Sequence, residues 1–383
     1  MRTIFALLAT AVIYSLVFQS TVFAQDEGGT GYCATITSFN SLTSPRNGKD
    51  EGDVASFQVP QILIFLDLDG AVVRAGFENG DNYTSSIISG TRNLPPPAMT
   101  VAQKAELVRL VADDFSPFNT VVTTDAAEFS ATPAEFKQMC IVTTTPQTAG
   151  FGSGVGGVSP WAGAGFRIRN SITFAFAAPY LNDPIKVAHT VSHEVGHSLG
   201  GLPHQHLYND VCGVNREYHP GFGSGLLGFA PLMGDASGLI PLVGITNWFG
   251  QPCTEPEFGA PVNDYDLLNA QVAARVDDFP DSPAGGTLPS TGEIDGVLSR
   301  AYDADYMRIN FKKPGPITVT SDNIDLKVSV LNGGGHVVDE YNDPASRNVT
   351  IPRLSGMRYL RIEAASNENM SAEFMIGTYH LSY

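Results

Sequence analysis

The segment His193-Glu194-Val195-Gly196-His197 constrains this chain more than any other part of its sequence. Two histidines four residues apart lie on the same face of a helix, so both imidazoles can bind one metal ion. The glutamate between them then stands beside the open coordination position. The spacing therefore predicts a helix that carries a zinc site, with Glu194 as the base of a metal-assisted hydrolysis.

The residues around this segment predict a helix with one packed face. Asn182 or Asp183 can cap its beginning, and Pro184 suits the first helical turn. A core-facing stripe recurs at helical spacing, formed by Ala188, Val191, Val195 and Leu199.

A third ligand is expected soon after the helix. Gly200 and Gly201 signal a helix end and let the chain return sharply towards the metal. His204 is then the expected third ligand, because Gly201-Leu202-Pro203-His204 has suitable spacing, and His206 is the alternative.

Two other histidines are expected near the site in lesser roles. His189 lies four residues before His193, but three ligands in line on one helix cannot surround a tetrahedral ion. We therefore expect His189 to be a hydrogen-bonding neighbour. His219 is expected either to line the cleft or to remain a solvent-exposed loop histidine, and it is also a candidate alternative ligand.

These residues resemble the metzincin zinc peptidases, whose pattern is H-E-x-x-H-x-x-G-x-x-H followed by a methionine turn. The third histidine comes one residue late here, since Pro203 occupies its usual position. The resemblance implies that Met233, within residues 230–234, lies beneath the three histidines. Some members carry a tyrosine two residues after that methionine; Asp235 occupies this position here, so Tyr218 or another residue would have to replace it. The resemblance also implies that an extended substrate pairs with the sheet edge within residues 157–176.

A narrower resemblance covers most of the chain. Segments 64–70, 113–119, 123–125, 229–234 and 245–248 are similar in order to bacterial secreted metalloproteases that carry a pre-peptidase C-terminal domain. This resemblance implies an α+β fold, in which a zinc peptidase domain with a twisted mixed sheet and an active-site helix precedes an antiparallel β-sandwich. The expected organisation is a signal peptide at 1–24, the peptidase domain at 25–280, a linker at 281–291 and the β-sandwich at 292–383.

Composition limits the partners and the compartment. The formal net charge of −17 argues against nucleic acid, because phosphate binding needs clustered Lys and Arg. Arg2, the apolar run from Ile4 to Phe18 and a small-residue cleavage site at 22–24 predict an export signal. No later apolar run is long enough to span a bilayer, so we expect a secreted protein. The sequence does not indicate an oligomeric state.

Four cysteines in an exported chain favour disulfides, with three possible pairings. The preferred pair is Cys212 with Cys253, since these two bracket the methionine turn. Cys33 admits a second hypothesis, in which its thiolate caps the zinc of a latent precursor. Cys140 completes the set.

The C-terminal part reads as short strands, among them 306–311 and 317–320, separated by Gly, Asn and Asp turns, which is typical of an antiparallel sandwich. The segments 303–306 and 377–381 resemble the pre-peptidase C-terminal domain. Asp303, Asp305 and Asp325 are candidate calcium ligands, and solvated turn carboxylates are the alternative explanation.

The function expected from the zinc motif is a secreted zinc endopeptidase that acts on polypeptide. Three neutral histidines leave one position for water, and Glu194 would take a proton from that water and pass it to the leaving amine. Two alternatives stay open. One is a zinc amidohydrolase of a non-peptide substrate, and the other is an inactive extracellular binding or adhesion protein.

Overall fold

The structure is a computed structural model that describes residues 32–37, 61–235, 245–256, 258–283, 287–288, 292–343, 347–367 and 369–383. The expected export signal at 1–24 lies outside the described residues, as does part of the expected linker. The side chains of residues 32–37 are also outside the description.

The N-terminal part holds five helices among the described residues and most of the short strands. The helices are α1 (Val101–Phe115), α2 (Ala126–Ala131), α3 (Pro146–Ala149), α4 (Pro184–Gly200) and α5 (Asp264–Val272). The strands are β1 (Tyr32–Thr37), β2 (Ile62–Asp67), β3 (Ala71–Ala75), β4 (Thr84–Ser85), β5 (Thr91–Leu94), β6 (Thr120–Thr123), β7 (Lys137–Thr143), β8 (Val155–Trp161), β9 (Ile172–Phe176), β10 (Leu207–Tyr208), β11 (Val214–Arg216), β12 (Phe229–Pro231), β13 (Ile245–Asn247), β14 (Gly250–Glu255) and β15 (Ala260–Asn263).

A six-stranded sheet organises this part, with the strand order β1-β8-β9-β7-β2-β6. Its neighbouring strands are parallel except for β8 and β9, which are antiparallel. All six residues of β2 are buried. Because alternate side chains along a strand point to opposite faces, both faces of this strand are covered. Ile64 and Leu66 face one core with α1 and α4. Leu63 and Phe65 face a second core with β3 and β5.

Helix α4 lies across the first of these cores and carries the zinc motif. Asp183 caps it by accepting a hydrogen bond from the backbone N–H of Ile185, and Pro184 opens the first turn. Val187, Val191, Val195 and Leu199 are all buried in the core with α1. The helix ends at Gly201, whose φ of 60° lies in the left-handed region that favours glycine. The predicted packed face and helix end are therefore present.

The C-terminal part is a seven-stranded sheet with the order β17-β22-β18-β21-β19-β20, and β16 pairs with β18 beside this path. Its strands are β16 (Thr287–Leu288), β17 (Glu293–Leu298), β18 (Ala304–Thr320), β19 (Leu326–Leu331), β20 (Val337–Asn342), β21 (Asn348–Ala364) and β22 (Gly377–Ser382). The long strands β18 and β21 shift register between Phe311 and Ile317. The sheet encloses one apolar core and is sandwich-like.

Two expectations for this part need correction. We expected separate strands at 306–311 and 317–320, but β18 runs through both because a register shift accommodates the intervening residues. The expected linker 281–291 contains β16, which pairs in parallel with Arg308 and Ile309 of β18.

The two parts share contacts across the expected boundary. The Asn247 side chain donates to the carbonyl of Ile376 at 2.7 Å, and Arg109 pairs with Asp322 at 2.8 Å. Ile376 is buried in the core of the N-terminal part, while Phe229 is buried in that of the C-terminal part. Among the described residues, no helix has both the length and the apolar character needed to cross a bilayer.

Candidate metal centre

Three histidines converge at the end of α4. His193 and His197 are one helical turn apart, and the tight turn at Gly201 returns His204 to them. The ring centroids lie 4.7 Å apart for His193 and His197, 4.8 Å for His197 and His204, and 5.5 Å for His193 and His204. One ligand nitrogen from each ring lies within 4.8 Å of the others, and all three residues are buried.

Position 201 requires glycine for two reasons: its φ is positive, and there is no room for a side chain. A Cβ there would lie 2.4 Å from the backbone nitrogen of Phe166 and 2.6 Å from the carbonyl oxygen of Gly163. The backbone N–H of Gly165 donates to the Gly201 carbonyl at 2.9 Å. This close approach allows the chain to turn back under the β8–β9 loop, which places His204 opposite the helix.

The Nδ1 atom of each of the three rings has a partner outside the triad. That of His193 lies 2.8 Å from the carbonyl oxygen of Leu232, and that of His197 lies 2.6 Å from the carbonyl oxygen of Leu202. His204 Nδ1 lies 3.2 Å from Oε1 of Glu217. Such contacts set the tautomer and the ring orientation of metal-binding histidines. The Nε2 atoms are consequently the ones that can face a shared ion.

The donor set fits a zinc ion. Nε2 of His193 is buried and has no hydrogen-bond partner among the described residues, which is costly for a polar atom unless an ion binds it. Burial lowers the pKa of His193 and of His197 well below the usual value, so both rings are neutral at neutral pH. Neutral imidazole is the form that ligates zinc.

Met233 is fully buried, and its sulfur packs against α4 at Gly196. A Cβ at Gly196 would lie 2.8 Å from its sulfur, so glycine at this position lets the methionine reach the helix. The segment is held from both sides, because the Met233 carbonyl accepts from Gln205 N–H at 2.7 Å and the Leu232 carbonyl contacts His193. The sulfur therefore lies against the helix that carries His193 and His197, and its predicted place beneath the three histidines stays a prediction.

Glu194 lies beside strand β8. A Cβ built at Gly157 of this strand would lie 2.5 Å from Oε1 of Glu194 and 2.6 Å from its Cγ. Gly156 is equally confined, since its Cβ would overlap the hydroxyl of Tyr180. The adjacent glycines therefore let the strand backbone pass directly over the carboxylate.

His206 and His219 lie outside the triad. His206 Nδ1 is held 2.8 Å from Oε2 of Glu255 in β14, and the Tyr208 hydroxyl donates to the same carboxylate oxygen. His219 Nδ1 accepts from the Gly221 N–H at 3.0 Å. Neither ring belongs to the group of His193, His197 and His204 whose ligand atoms lie within 4.8 Å of one another, and their role as alternative ligands stays a prediction. His219 is buried rather than solvent-exposed.

His189 is a half-buried neighbour of the triad rather than a member of it. Its ring centroid lies 6.3 Å from that of His193, and the candidate metal-binding trio does not include it. Burial lowers its pKa, so the ring is mainly neutral. This placement agrees with its expected position beside the ligands.

Two residues on the loop before His219 complete the surroundings. The Tyr218 ring centroid lies 4.4 Å from that of His204 and 6.2 Å from that of His193. Tyr218 was a candidate to replace the missing tyrosine of the methionine turn. Glu217, which contacts His204, was not anticipated, because no spacing rule links a loop carboxylate to the third ligand of this motif. Its pKa is lowered by the hydrogen bond with His204.

Cys212 and Cys253 form the disulfide that was preferred on sequence grounds. Disulfides are typical of proteins outside the reducing cytosol. Cys140 is instead a buried thiol, and burial raises its pKa to about 12. The expectation of complete pairing is therefore wrong for Cys140. The side chain of Cys33 lies outside the described residues, so the thiolate hypothesis for Cys33 stays a prediction.

Acidic side chains form two groups where the C-terminal part begins. One group is Asp277, Asp278 and Asp305, and the other is Asp277, Asp281 and Asp303, with ligand atoms within 4.8 Å of one another in each group. Arg300 contacts the three carboxylates of the second group.

Asp305 is the most informative member of these groups. Its Oδ2 accepts from the Tyr379 hydroxyl at 2.6 Å, whereas its buried Oδ1 has no hydrogen-bond partner among the described residues. Burial raises the pKa of Asp305 to about 8. Asp325 belongs to neither group. Its Oδ2 accepts from Asn367 at 2.6 Å, and its role as a calcium ligand stays a prediction.

Comparison with known proteins gives little beyond this geometry. No protein-family model matches the chain, and no curated protein matches it. Among solved structures, the chain is similar to the pre-peptidase C-terminal domain of a Bacillus anthracis collagenase. The identity is 14%, the TM-score is 0.20, and the match covers 28% of this chain and 96% of that one.

Two periplasmic inhibitors of g-type lysozyme, both named PliG, are also similar. The protein from Aeromonas hydrophila is 13% identical, with a TM-score of 0.20 and coverage of 25% of this chain and 94% of that chain. The protein from Salmonella Typhimurium is 18% identical, with a TM-score of 0.17 and coverage of 25% and 95%. Similarities of this size carry no argument about function.

Proposed function

We propose that this chain is a secreted zinc-dependent endopeptidase. The observation that carries the proposal is the buried trio His193, His197 and His204, with Glu194 beside it on the same helix. A zinc ion bound by this trio would activate a water molecule and polarise a scissile carbonyl. The hydrogen-bond partners of the three rings support this assignment, because they orient the histidines before any ion binds.

The chain's own residues supply the proton transfers and the positioning. Glu194 accepts a proton from the attacking water on its carboxylate and then delivers it to the nitrogen of the leaving amine. The Leu232 and Leu202 carbonyls and Glu217 keep the three rings in place. Tyr218, whose ring centroid lies 4.4 Å from that of His204, would donate a hydrogen bond from its phenol to the carbonyl oxygen as negative charge develops there.

A polypeptide substrate is favoured over a compact one by the path of β8. Its backbone runs past Glu194 at Gly157, and an extended peptide can add to a strand through main-chain hydrogen bonds. Such binding presents successive peptide bonds to the carboxylate. A small amide, which is the substrate that the amidohydrolase alternative would require, gains no comparable advantage from strand pairing.

We also propose a calcium site formed by Asp277, Asp278 and Asp305. Calcium prefers carboxylate oxygens. Oδ1 of Asp305 has no hydrogen-bond partner in the described part of the chain and is an oxygen that an ion would satisfy. The ligands would tie the segment after α5 to β18, so the expected role is structural.

The test of the proposed activity is the Glu194→Gln variant. It keeps the shape of the side chain but removes the base, so casein hydrolysis should fall by at least about a hundredfold while zinc content stays unchanged. Glu128→Gln is the matched control, because Glu128 is an exposed glutamate on α2. Full casein hydrolysis by Glu194→Gln would reject the assigned base.

A substrate panel separates the alternatives. Cleavage of a non-peptide amide with no cleavage of casein would favour the amidohydrolase. A zinc-free folded chain that cleaves neither substrate would favour the binding or adhesion protein.

A further inference from the structure

The chain's own N-terminal segment occupies the edge of the central sheet. Strand β1 pairs in parallel with β8 over its full length, from Tyr32 opposite Val155 to Thr37 opposite Trp161. On its other side β8 pairs with β9. Without β1, strand β8 would be the edge strand and would leave its backbone N–H and C=O groups open to another extended chain.

This edge is the one that passes the candidate base. The register places Cys33 of β1 opposite Gly157, the residue whose Cβ position lies within 2.5 Å of Glu194. The backbone of β1 therefore crosses the site at the level of the Glu194 carboxylate. An extended peptide cannot pair with this stretch of β8 while β1 is there, because each backbone group joins only one ladder.

We propose that Tyr32–Thr37 is an internal inhibitory strand that fills the peptide-binding edge of β8. This inference rests on the proposed function, since it takes the β8 edge to be where substrate pairs. A tethered strand competes at an effective concentration in the millimolar range, so a free substrate at micromolar concentration is excluded. Displacement or removal of β1 then activates the enzyme.

The tether also determines how the inhibition is relieved. Tyr32–Thr37 precedes β2 in the same chain, so cleavage between them turns an intramolecular competitor into a free peptide that dilution removes. A protease that is activated in this way stays inactive until its chain has been cleaved between β1 and β2.

The experiment uses the full chain with proline at two adjacent positions, Ala34→Pro together with Thr35→Pro. Proline has no N–H, and adjacent residues of a strand point their N–H groups to opposite sides, so one of the two changes always removes a ladder bond to β8. The matched control is Ala34→Val with Thr35→Val, which favours strand structure.

Two measurements are made on each chain. Hydrogen exchange of the amides of residues 157–159 and 161, measured in a Glu194→Gln background, reports strand pairing independently of catalysis; Pro160 has no N–H. The value of kcat/KM on an internally quenched peptide reports inhibition. We expect the proline pair to speed exchange at these amides and to raise kcat/KM by at least about tenfold, and the valine pair to do neither.

Three results would overturn the proposal. Unchanged exchange in the proline variant would mean that β1 does not pair with β8. Faster exchange with unchanged kcat/KM in an active enzyme would mean that the paired strand does not inhibit. A Cys33→Ser variant that keeps exchange protection but gains the full rate would assign inhibition to the thiol instead.

Failure of the proposed function has a separate signature. In that case the proline variant shows faster exchange, binds zinc and still cleaves no peptide. This result removes the inhibitory role together with the activity, but it leaves the strand pairing established.

Discussion

Gly157→Ala tests the position of Glu194 with a change that touches no metal ligand. The added Cβ would lie 2.5 Å from Oε1, 2.6 Å from Cγ and 2.8 Å from Cδ of Glu194, whereas ordinary contacts begin at 3.4 Å. The strand backbone is held through its pairing with Ala175 of β9, so the carboxylate has to yield. The overlap requires Glu194 to move by about 1 Å.

The expected loss follows from that displacement. A catalytic group misplaced by about 1 Å costs roughly a hundredfold in rate, which corresponds to about 2.7 kcal/mol in the activation barrier. We therefore expect kcat/KM to fall by about a hundredfold in Gly157→Ala. Zinc content should not change, because the three histidines keep their own hydrogen-bond partners.

The assay compares Gly157→Ala with Gly152→Ala, in which the added Cβ meets no atom within 4 Å. Both changes are made in the native chain and in the chain that carries proline at 34 and 35, so that any effect on β1 pairing is separated from the effect on Glu194. Full activity of Gly157→Ala in both backgrounds would refute the reasoning. Loss of zinc along with activity would also refute it.

Three further outcomes follow from the structure. Glu217→Ala removes the partner of His204 Nδ1 and should weaken zinc affinity about tenfold, as measured by competition with a chelator, with little change in thermal unfolding. Folding raises the pKa of Asp305 to about 8, so this residue makes the calcium-free chain lose stability as the pH rises from about 4 to 8. Asp305→Asn should reduce this pH dependence of stability and abolish stabilisation by Ca²⁺, both measured by thermal unfolding. Replacing Cys212 and Cys253 together by serine should lower the free energy of unfolding by about 4 kcal/mol in denaturant titrations, since the bond closes a loop with a sequence separation of 41.

Local signals in the sequence predict the elements that carry the triad. The apolar spacing from Val101 to Phe115 predicts α1 with its observed bounds, and the cap at Asp183 and the glycine pair predict where α4 begins and ends. Strands β2, β6 and β7 are likewise predicted within a few residues, β2 by the apolar run at 61–66 and the other two by the β-branched runs at 120–124 and 140–144. These features depend on contacts within one helix or strand, so neighbouring residues specify them.

Partnerships between distant segments are not visible in the sequence. The pairing of β1 with β8 joins segments more than a hundred residues apart, and neither segment carries a sequence pattern that identifies the other as its partner. The choice between His204 and His206 depends on Glu217 and Glu255, which reach the two rings from different loops and strands. The same reason explains why the thiol of Cys140 was mistaken for a disulfide partner, because its burial between strands depends on the whole sheet.

Metal analysis of the purified chain tests the central claim most directly. Zinc is measured per folded chain in the wild type, in His204→Ala and in His206→Ala, with circular dichroism confirming that each chain is folded. The three-histidine site predicts one zinc in the wild type and in His206→Ala, and loss of zinc in His204→Ala. A folded wild-type chain that binds no zinc after incubation with the ion, or a His204→Ala chain that keeps it, would contradict the claim.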